Sequence, residues 1–427
     1  MRRHLSLNRS IIALVIMALI LVASVPAFAD TAQAESSSIQ EGFQVRSGYA
    51  IKSNGGLYDI ETNKKIASNV RSFAPFETGI LIVKTDNTLR YMYRTERGQY
   101  GVYGAAGSWK TKKLLSNVKE LAEGTYVRND SKSGLRYEVY AVKTNGKLVK
   151  GTIKLKSNTA ISSHSWKTIM SKVAHAYVSK EGILQAETAS YYALKTNGRL
   201  YGWGYNKQGE IGNGTTKNVK QSSPYLILKN VREFKLAGQT YGTSPKYGTT
   251  CYAIKKNNDL YSWGINDFLT VQSGAGDAVT EPIKILDDVK CVDGASHTAC
   301  AVTNDGVLWN WGTELGNTTV EGMTVIHYGI GMNPVAKDVS YADINMFNLL
   351  FIKNNKKLYY IGSAMGDGSK YPTASEPTYI AKNVTAVYTT DVNGRYFLNT
   401  KGYLYGLGFN KGGKFYSKVK LGTGYPK

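Results

Sequence analysis

The segment Tyr191-Tyr192-Ala193-Leu194-Lys195-Thr196-Asn197-Gly198-Arg199-Leu200-Tyr201 carries the pattern that decides the fold. Apolar residues come first, the pair Asn197-Gly198 follows a short polar link, and Leu200 and Tyr201 restore the apolar character. A two-residue hairpin turn requires positive φ angles, which Asn and Gly adopt most readily. The segment therefore predicts two antiparallel strands joined by a tight turn.

This pattern occurs eight times along the chain, and every copy has a leucine after its turn pair. The turn pairs are Asn54-Gly55, Asp86-Asn87, Asn145-Gly146, Asn197-Gly198, Asn257-Asn258, Asp305-Gly306, Asn355-Lys356 and Lys401-Gly402. The leucines are Leu57, Leu89, Leu148, Leu200, Leu260, Leu308, Leu358 and Leu404. After a shorter first interval, the leucines lie about fifty residues apart, which is the size of a propeller blade.

A second landmark, usually Asn or Asp followed by Val, precedes most of the hairpins. Its copies are Asn69-Val70, Asn117-Val118, Asn230-Val231, Asp288-Val289, Asp338-Val339 and Asn383-Val384, with Lys172-Val173 as a weaker one. Each copy indicates a further strand, so one repeat holds three or four. Units this short bury their sheet faces only by stacking radially. The sequence predicts an all-β fold, a single β-propeller of seven or eight antiparallel blades over residues 42–427.

The two ends of the repeat region suggest how the ring closes. The first hairpin, Tyr49 to Ile60, has no Asn-Val strand before it, whereas Ser417 to Gly422 after the last hairpin is strand-like. We expect this C-terminal strand to complete the first blade, which would leave no open sheet edge.

Two repeats resemble a known family closely. The fourth contains Gly202-Trp203-Gly204 followed by Gln208-Gly209-Glu210-Ile211-Gly212, and the sixth contains Gly294-Ala295-Ser296-His297-Thr298 followed by Trp311-Gly312. These residues resemble the regulator of chromosome condensation repeat family, most specifically over residues 190–312. The resemblance implies a seven-bladed propeller, whereas the hairpins number eight. It does not transfer a function, because one fold serves many activities.

The N-terminus has the layout of a secretory signal peptide. Cations at Arg2, Arg3 and Arg9 are followed by an apolar stretch and by Ala27-Phe28-Ala29, with a second A-x-A site at 32–34. We expect a signal peptide over 1–29, cleaved near residue 29 or 34, a linker over 30–41, and no membrane span afterwards. The protein is then secreted or associated with the cell envelope.

The formal net charge of +22 bears on the class of partner. A basic exported protein attracts polyanions, so we expect an extracellular or envelope protein, or an anionic wall polymer, and no nucleic acid. The cations are scattered along the sequence, and we expect a monomer whose charge attracts such polymers weakly and non-specifically.

Aromatic residues in variable inserts are the candidate binding residues. Tyr100, Tyr103 and Trp109 lie in one Gly-rich insert, and Tyr241 and Tyr247 lie in another. Loops of a rigid scaffold often carry function, and Tyr and Trp are common interface anchors. Exposed tyrosines without a function are an equally good explanation.

No residue set predicts catalysis, a metal site or a cofactor. His297 lies beside Ser296 and Asp293, but it occupies the histidine position of the family repeat, where a packing role is expected. His164, His175 and His327 lack metal-ligand spacing.

The cysteines leave one structural question open. Cys291 and Cys300 flank a predicted turn with equal arms, so they could form a cross-strand disulfide or remain two buried thiols. Cys251 has no partner in either case.

The leading functional hypothesis is a secreted propeller scaffold that binds a protein or an anionic envelope component and is not an enzyme. The alternatives are an inhibitor of a secreted enzyme, by analogy with a secreted bacterial β-lactamase inhibitor of this family, and a carbohydrate-active hydrolase or lyase. No carboxylate pair or nucleophile–base set supports the last of these.

Overall fold

The computed structural model describes residues 45–425 except 47, 61, 76–78, 95–107, 129–135, 157–159, 180–187, 239–247, 267–269, 273–277, 296–297, 314–318, 321–322, 325–327, 346–347, 363–373, 390–394 and 412–413. The expected signal peptide and linker lie outside the described residues. None of the described residues forms an α-helix. The described part of the chain accordingly has no helix long and apolar enough to cross a membrane.

The described strands form eight antiparallel blades of four strands each, in chain order. A single parallel pairing of Tyr177 with Glu123 joins blades 3 and 4 into one eight-stranded sheet. The strands of blade 1 are β1 (Val45–Arg46), β2 (Tyr49–Ile51), β3 (Leu57–Asp59) and β4 (Lys65–Ala67). Those of blade 2 are β5 (Val70–Pro75), β6 (Ile80–Lys84), β7 (Leu89–Arg94) and β8 (Trp109–Leu115). Those of blade 3 are β9 (Val118–Arg128), β10 (Arg136–Lys143), β11 (Leu148–Leu155) and β12 (Ile161–Met170). Those of blade 4 are β13 (Val173–Val178), β14 (Ser190–Lys195), β15 (Leu200–Gly204) and β16 (Tyr225–Leu228).

The second half of the chain repeats the same arrangement. The strands of blade 5 are β17 (Val231–Gly238), β18 (Thr249–Lys255), β19 (Leu260–Ile265) and β20 (Ala278–Leu286). Those of blade 6 are β21 (Val289–Ala295), β22 (Thr298–Thr303), β23 (Leu308–Thr313) and β26 (Tyr328–Ala336), with a small hairpin of β24 (Thr319–Val320) and β25 (Met323–Thr324) between the last two. Those of blade 7 are β27 (Val339–Asn345), β28 (Asn348–Lys353), β29 (Leu358–Gly362) and β30 (Ala374–Ala381). Those of blade 8 are β31 (Val384–Thr389), β32 (Arg395–Asn399), β33 (Leu404–Lys411) and β34 (Lys414–Gly422).

The sequence allowed either seven or eight blades, and the structure has eight. Each of the eight hairpins is the central pair of strands of one blade, and each Asn-Val landmark opens the first strand of the next. The first interval between leucines is short because β3 and β4 of blade 1 have only three residues each.

The core consists of eight buried clusters, one at each junction between consecutive blades. The cluster between blades 4 and 5, for example, contains Tyr192, Phe234, Cys251 and Trp263. The remaining seven clusters lie between blades 1 and 2, 2 and 3, 3 and 4, 5 and 6, 6 and 7, 7 and 8, and 8 and 1. Because both faces of every blade are covered by neighbours, no blade is expected to be stable alone.

The Asn-Val landmark is a backbone clasp between blades. The residue before Val has a positive φ, near 54° in Asn69, a conformation that Asn and Asp tolerate better than most residues. The Val70 N–H then donates to the Gly55 carbonyl in the hairpin turn of the preceding blade, at 2.7 Å, and the Asn69 carbonyl accepts from Thr85 in the turn of its own blade, at 2.9 Å. The other described clasps repeat both bonds, which explains the Asn and Asp preference.

The ring closes differently from the sequence prediction. The prediction that the C-terminal strand completes the first blade is wrong, because β34 pairs with β33 and is the outer strand of blade 8. The two residues Gly424 and Tyr425 provide the eighth clasp. The Tyr425 N–H donates to Gly402 in blade 8 at 3.3 Å, and the Gly424 carbonyl accepts from Ser53 in blade 1 at 2.9 Å.

Replacing Tyr425 by alanine tests this closure. The side chain is only 3% exposed and packs in the cluster between blades 8 and 1, so Tyr425→Ala should lower the free energy of unfolding by about 3 kcal/mol. Tyr225→Ala is the matched control, because Tyr225 is 43% exposed and its loss should cost less than about 0.5 kcal/mol. Chemical denaturation measures both. Equal, small effects would contradict closure by Tyr425.

Candidate functional site: the turn face and the central channel

The strand order gives the propeller two distinct ends. We call the end formed by the eight hairpin turns and the clasps the turn face, and the opposite end the loop face. The first strand of each blade runs from the turn face to the loop face, and the four strands of a blade alternate in direction. First strands of adjacent blades contact one another, so they line a central channel between the two faces.

Of the five residues in the predicted aromatic site, the structure describes only Trp109. Tyr100, Tyr103, Tyr241 and Tyr247 lie outside the described residues. Trp109 begins β8, is half-buried and packs against the cluster between blades 1 and 2, with the Arg94 guanidinium 4.8 Å from its ring centroid. This tryptophan therefore has a packing role, and the flanking strands β7 and β8 place it at the loop face.

The turn face is built from one repeated unit. A lysine ends the second strand of five blades and directly follows it in blade 1. Four of these six lysines lie over a tyrosine ring of the third strand. The pairs are Lys52 with Tyr58 at 4.2 Å, Lys195 with Tyr201 at 5.1 Å, Lys255 with Tyr261 at 5.2 Å and Lys353 with Tyr359 at 5.5 Å. A cation over an aromatic face is attracted to it, so these amines are held at equivalent positions around the ring.

The turns and clasps together make the turn face basic. Their cations are Lys52, Lys84, Lys143, Lys147, Lys172, Lys195, Arg199, Lys229, Lys255, Lys256, Lys337, Lys353, Lys356, Lys357, Lys382 and Lys401. Their acids are fewer, namely Asp86, Asp259, Asp287, Asp288, Asp305 and Asp338, and most of them lie on blades 5 and 6. Cations that are scattered along the sequence therefore share one surface of the described blades.

A second set of cations surrounds the channel where it opens on the turn face. Each occupies the position after the clasp valine and donates to a carbonyl of a following blade. Arg71 reaches Val118 at 2.8 Å, Lys119 reaches Ala174 at 3.0 Å, Arg232 reaches Val289 at 2.7 Å and Lys290 reaches Ser340 at 3.1 Å. These bonds fix the cations at the rim of the channel.

Deeper in the channel, carboxyl groups replace the cations. Asp293 in blade 6 accepts from the Ile344 N–H at 3.1 Å, and Asp343 in blade 7 accepts from the Thr389 hydroxyl at 2.8 Å and its N–H at 3.2 Å. Burial and the neighbouring Asp293 raise the pKa of Asp343 well above its ordinary value. Glu123 and then Asp293 and Glu233 raise the pKa of Lys235, against the opposing effect of burial. These charged side chains form a belt around the channel. Their hydrogen bonds link consecutive blades, and the negative charges of the acids compensate the positive charge of Lys235.

A cavity of about 230 Å³ opens on this belt between the first strands of blades 2, 3 and 4. Its polar lining comes from Ser72, Glu120, Glu123, His175 and Tyr177. Glu120 Oε1 lies 3.2 Å from His175 Nδ1. The carboxylates facing the cavity thus have cationic neighbours within the protein.

The described histidines do not form a catalytic set. His164 Nδ1 accepts from Trp166 Nε1 at 3.3 Å, and His175 pairs with Glu120. No hydrogen bond links either of these two to a serine or cysteine, whereas His297 and His327 lie outside the described residues. In the part of the chain that the structure describes, no three His, Cys, Asp or Glu side chains are grouped to hold a metal ion.

The register of β21 and β22 corrects the expected pairing of the cysteines. Asp293 lies opposite Cys300 and Cys291 lies opposite Val302, so the two cysteines are diagonal neighbours. Diagonal positions lie about 7–8 Å apart, beyond the usual reach of a disulfide. Cys251, Cys291 and Cys300 are free and buried, and burial raises the pKa of Cys291 to about 12.

Glu210 is a buried acid in the glycine-rich segment of the fourth repeat. It is 1% exposed, its Oε2 accepts from the Gln208 N–H at 2.9 Å, and its Oε1 is buried without a hydrogen-bond partner. Its backbone carbonyl accepts from Tyr192 at 2.9 Å and Trp263 at 2.8 Å. Burial raises the pKa of the Glu210 carboxyl to about 7.

The repeated hairpin pattern in the sequence contains a cation before most turn pairs, but only the strand order shows that these cations share a surface. The channel acids carried a weaker signal, because each position recurs in two blades only: Asp293 and Asp343 lie four residues after the clasp valine, and Glu120 and Glu233 lie two residues after it.

Comparison with known proteins supports the resemblance seen in the sequence. The profile of the regulator of chromosome condensation (RCC1) repeat matches residues 197–235. E3 ubiquitin-protein ligase HERC2 of Homo sapiens is 30% identical over 130 residues, 29% of this chain and 3% of HERC2. Ultraviolet-B receptor UVR8 of Arabidopsis thaliana is 30% identical over 121 residues, 26% of this chain and 25% of UVR8. The matched region thus spans only a small part of these relatives.

The fold is shared with a solved structure over most of its length. Prp20p from Saccharomyces cerevisiae, described together with its binding properties to Gsp1p and histones, matches with a TM-score of 0.50 and 15% identity, covering 84% of this chain and 93% of that chain. The chain is a propeller that carries RCC1-type repeats.

Glu210→Gln should change stability in a pH-dependent way. In the folded state the pKa of the Glu210 carboxyl is raised to about 7, from roughly 4.3 in the unfolded chain. The folded state therefore binds the proton more tightly, so the free energy of unfolding of the wild type falls as pH rises between these two pKa values. The variant should match wild type near pH 4.5 and exceed it by about 3 kcal/mol at pH 8. Denaturation at both pH values measures this.

Glu376→Gln on the exposed outer strand β30 is the control for Glu210→Gln, and it should behave like wild type at both pH values. A Glu210→Gln variant without added stability at pH 8 would contradict a neutral, buried carboxyl.

Proposed function

We propose that this RCC1-type propeller is an exported binding scaffold whose turn face holds an anionic partner. The observation that carries the proposal is the excess of cations on the turns and clasps of the described blades. A surface of one charge sign attracts an oppositely charged partner and speeds its association. The partner is an acidic extracellular protein or an anionic envelope polymer.

The architecture of the surface supports this function. The turns are rigid, because every turn is bonded to clasps on both sides, for instance Gly55 to Val70 and Thr85 to Asn69. Lysines that lie over tyrosine rings have fewer conformations to lose when a partner binds. The binding properties described for the propeller Prp20p agree with protein recognition by this fold.

The basic start, the apolar stretch and the A-x-A sites of residues 1–34 support export. Outside the cell, proteins and charged polymers of the envelope are the anionic partners that a basic surface meets. The aromatic residues Tyr100, Tyr103, Tyr241 and Tyr247 remain predicted contributors to binding.

Charge reversal on the turn face tests the proposal. The variant Lys147→Glu, Arg199→Glu, Lys357→Glu, Lys382→Glu changes four exposed residues and should weaken binding to poly-L-glutamate and to polyglycerol phosphate by roughly tenfold or more. Wild-type binding should also weaken from low to physiological salt, because exposed charges are screened. Biolayer interferometry over a salt series measures both.

The matched control carries the same charge change away from the turn face. Lys110→Glu, Lys167→Glu, Lys217→Glu, Lys220→Glu alters exposed residues on outer strands and on the segment after β15, and should keep most of the binding. Equal losses in the two variants would mean that net charge alone, without a dedicated face, attracts the polymers.

Export and signal-peptide cleavage are tested separately from binding. Mass spectrometry of the protein recovered from culture medium and envelope should give a first residue near Asp30 or Glu35. An intact chain starting at Met1 in the membrane fraction would overturn the cleavage, while leaving the turn-face proposal open to the binding test.

A further inference from the structure

Blade 8 contains a charged residue at a position that other blades fill with buried uncharged side chains. Arg395 begins β32 and lies opposite Thr389 of β31. The equivalent residue, opposite the corresponding position of the first strand, is Tyr191 in blade 4, Cys251 in blade 5, Ala299 in blade 6 and Leu349 in blade 7. All four are buried core residues. An arginine here is a departure from the repeat.

Arg395 is buried without a counter-charge. The residue is 5% exposed, and its Nε is buried with no hydrogen-bond partner. No ion pair or hydrogen bond joins its guanidinium to another described residue. Burial lowers its pKa to about 10, so it remains a cation at neutral pH. Buried charges in proteins are normally paired, and none of the residues that the structure describes supplies a counter-charge to Arg395.

The neighbouring polar group comes from blade 7. Alternate residues of a strand share a face. Along β32, Arg395 shares its face with Phe397, and along β28, Asn348 shares its face with Leu350; Phe397 and Leu350 both belong to the cluster between blades 7 and 8. Arg395 and Asn348 therefore face the same junction, both at its loop-face end.

Asn348 also has unused hydrogen-bonding capacity. It is fully buried, its backbone N–H donates to Asn345 Oδ1 at 3.0 Å, and its side-chain Nδ2 reaches the same oxygen only at 3.5 Å, which leaves an amide hydrogen available to a ligand. Tyr360, fully buried in the same junction, interacts electrostatically with Arg395. A guanidinium, an amide and a phenol at one end of an otherwise apolar junction provide the donors that a small oxyanion requires.

We propose that Arg395, with Asn348, forms an anion-binding site at the loop-face end of the junction between blades 7 and 8. Its ligand is an oxyanion, either a carboxylate or a phosphoryl group, which the guanidinium binds as a charge-assisted pair. This site is distinct from the basic turn face and lies at the opposite end of the propeller. It contributes specificity, since a single buried cation recognises one group rather than a diffuse charge.

Anion titration of the full chain tests the site. Sodium acetate and sodium phosphate replace sodium chloride at constant ionic strength, and calorimetry and melting temperature report binding. Wild type should bind one anion and melt at a higher temperature with it than in chloride. Arg395→Leu, which copies Leu349 of blade 7, should lose roughly tenfold or more of this affinity and melt at or above the wild-type temperature in chloride.

Two further variants secure the interpretation. Lys167→Leu removes an exposed cation away from the turn face and should keep the response to both anions. Arg395→Lys keeps the charge without the planar fork and should fold with weakened binding, which keeps the test valid if Arg395→Leu does not fold. Tighter binding of acetate assigns the ligand group as a carboxylate, and tighter binding of phosphate assigns it as a phosphoryl group. Absence of binding to wild type, or unchanged binding in both Arg395 variants, would overturn the site.

Discussion

A backbone residue with a positive φ stands at the start of nearly every described blade, and the rest of the ring depends on it. At Asn69, Asn230 and Asp338, for example, this conformation turns the chain from the outer strand of one blade into the channel strand of the next. The same peptide bonds the hairpin turns of both blades. One conformational requirement thus sets the blade spacing, the turn positions and the burial of the valine that follows. Hydrophobic clusters between blades supply the stability, but the clasps fix the geometry in which those clusters form.

The clasp also explains how a sequence with dispersed charge produces a charged surface. A repeat places the same position of each blade at the same height on the ring, so the lysines at the end of the second strand, present in six of the eight blades, share one surface. Lys52, Lys195 and Lys353 are far apart in the sequence, yet each lies over a tyrosine in its own blade. The acids of the channel, in contrast, do not form a regular circle. These acids, such as Glu233 and Asp343, sit at unequal positions: Lys235 and Arg232 lie near Glu233, and Thr389 donates two hydrogen bonds to Asp343.

Sequence patterns predicted the repeat, the hairpins, the first strands and the all-β propeller, because turn chemistry and period are local properties. The closure of the ring could not be predicted from such local patterns. The segment Ser417–Gly422 looks like an unpaired strand, and only the pairing of β33 with β34 shows that it belongs to blade 8. Likewise, Cys291 and Cys300 have equal arms around the predicted turn, but Ala295 pairs with Thr298, so the turn is centred one residue later and the two cysteines are not opposite each other. Trp109 was expected in a loop and lies in a strand, because insert boundaries leave no periodic signal. The buried charge of Arg395 shows the same limit, since burial depends on neighbours from another blade.

Closure by Gly424 and Tyr425 has a consequence for how such a ring can change. Every described blade consists of one continuous stretch of chain, and no strand is exchanged between the first and last blades. The eight junctions are therefore equivalent in connectivity, and the chain ends could be moved to another clasp by circular permutation with the same hydrogen bonds remade. Duplication or loss of a blade likewise needs no rearrangement of a shared strand, only a ring of different circumference.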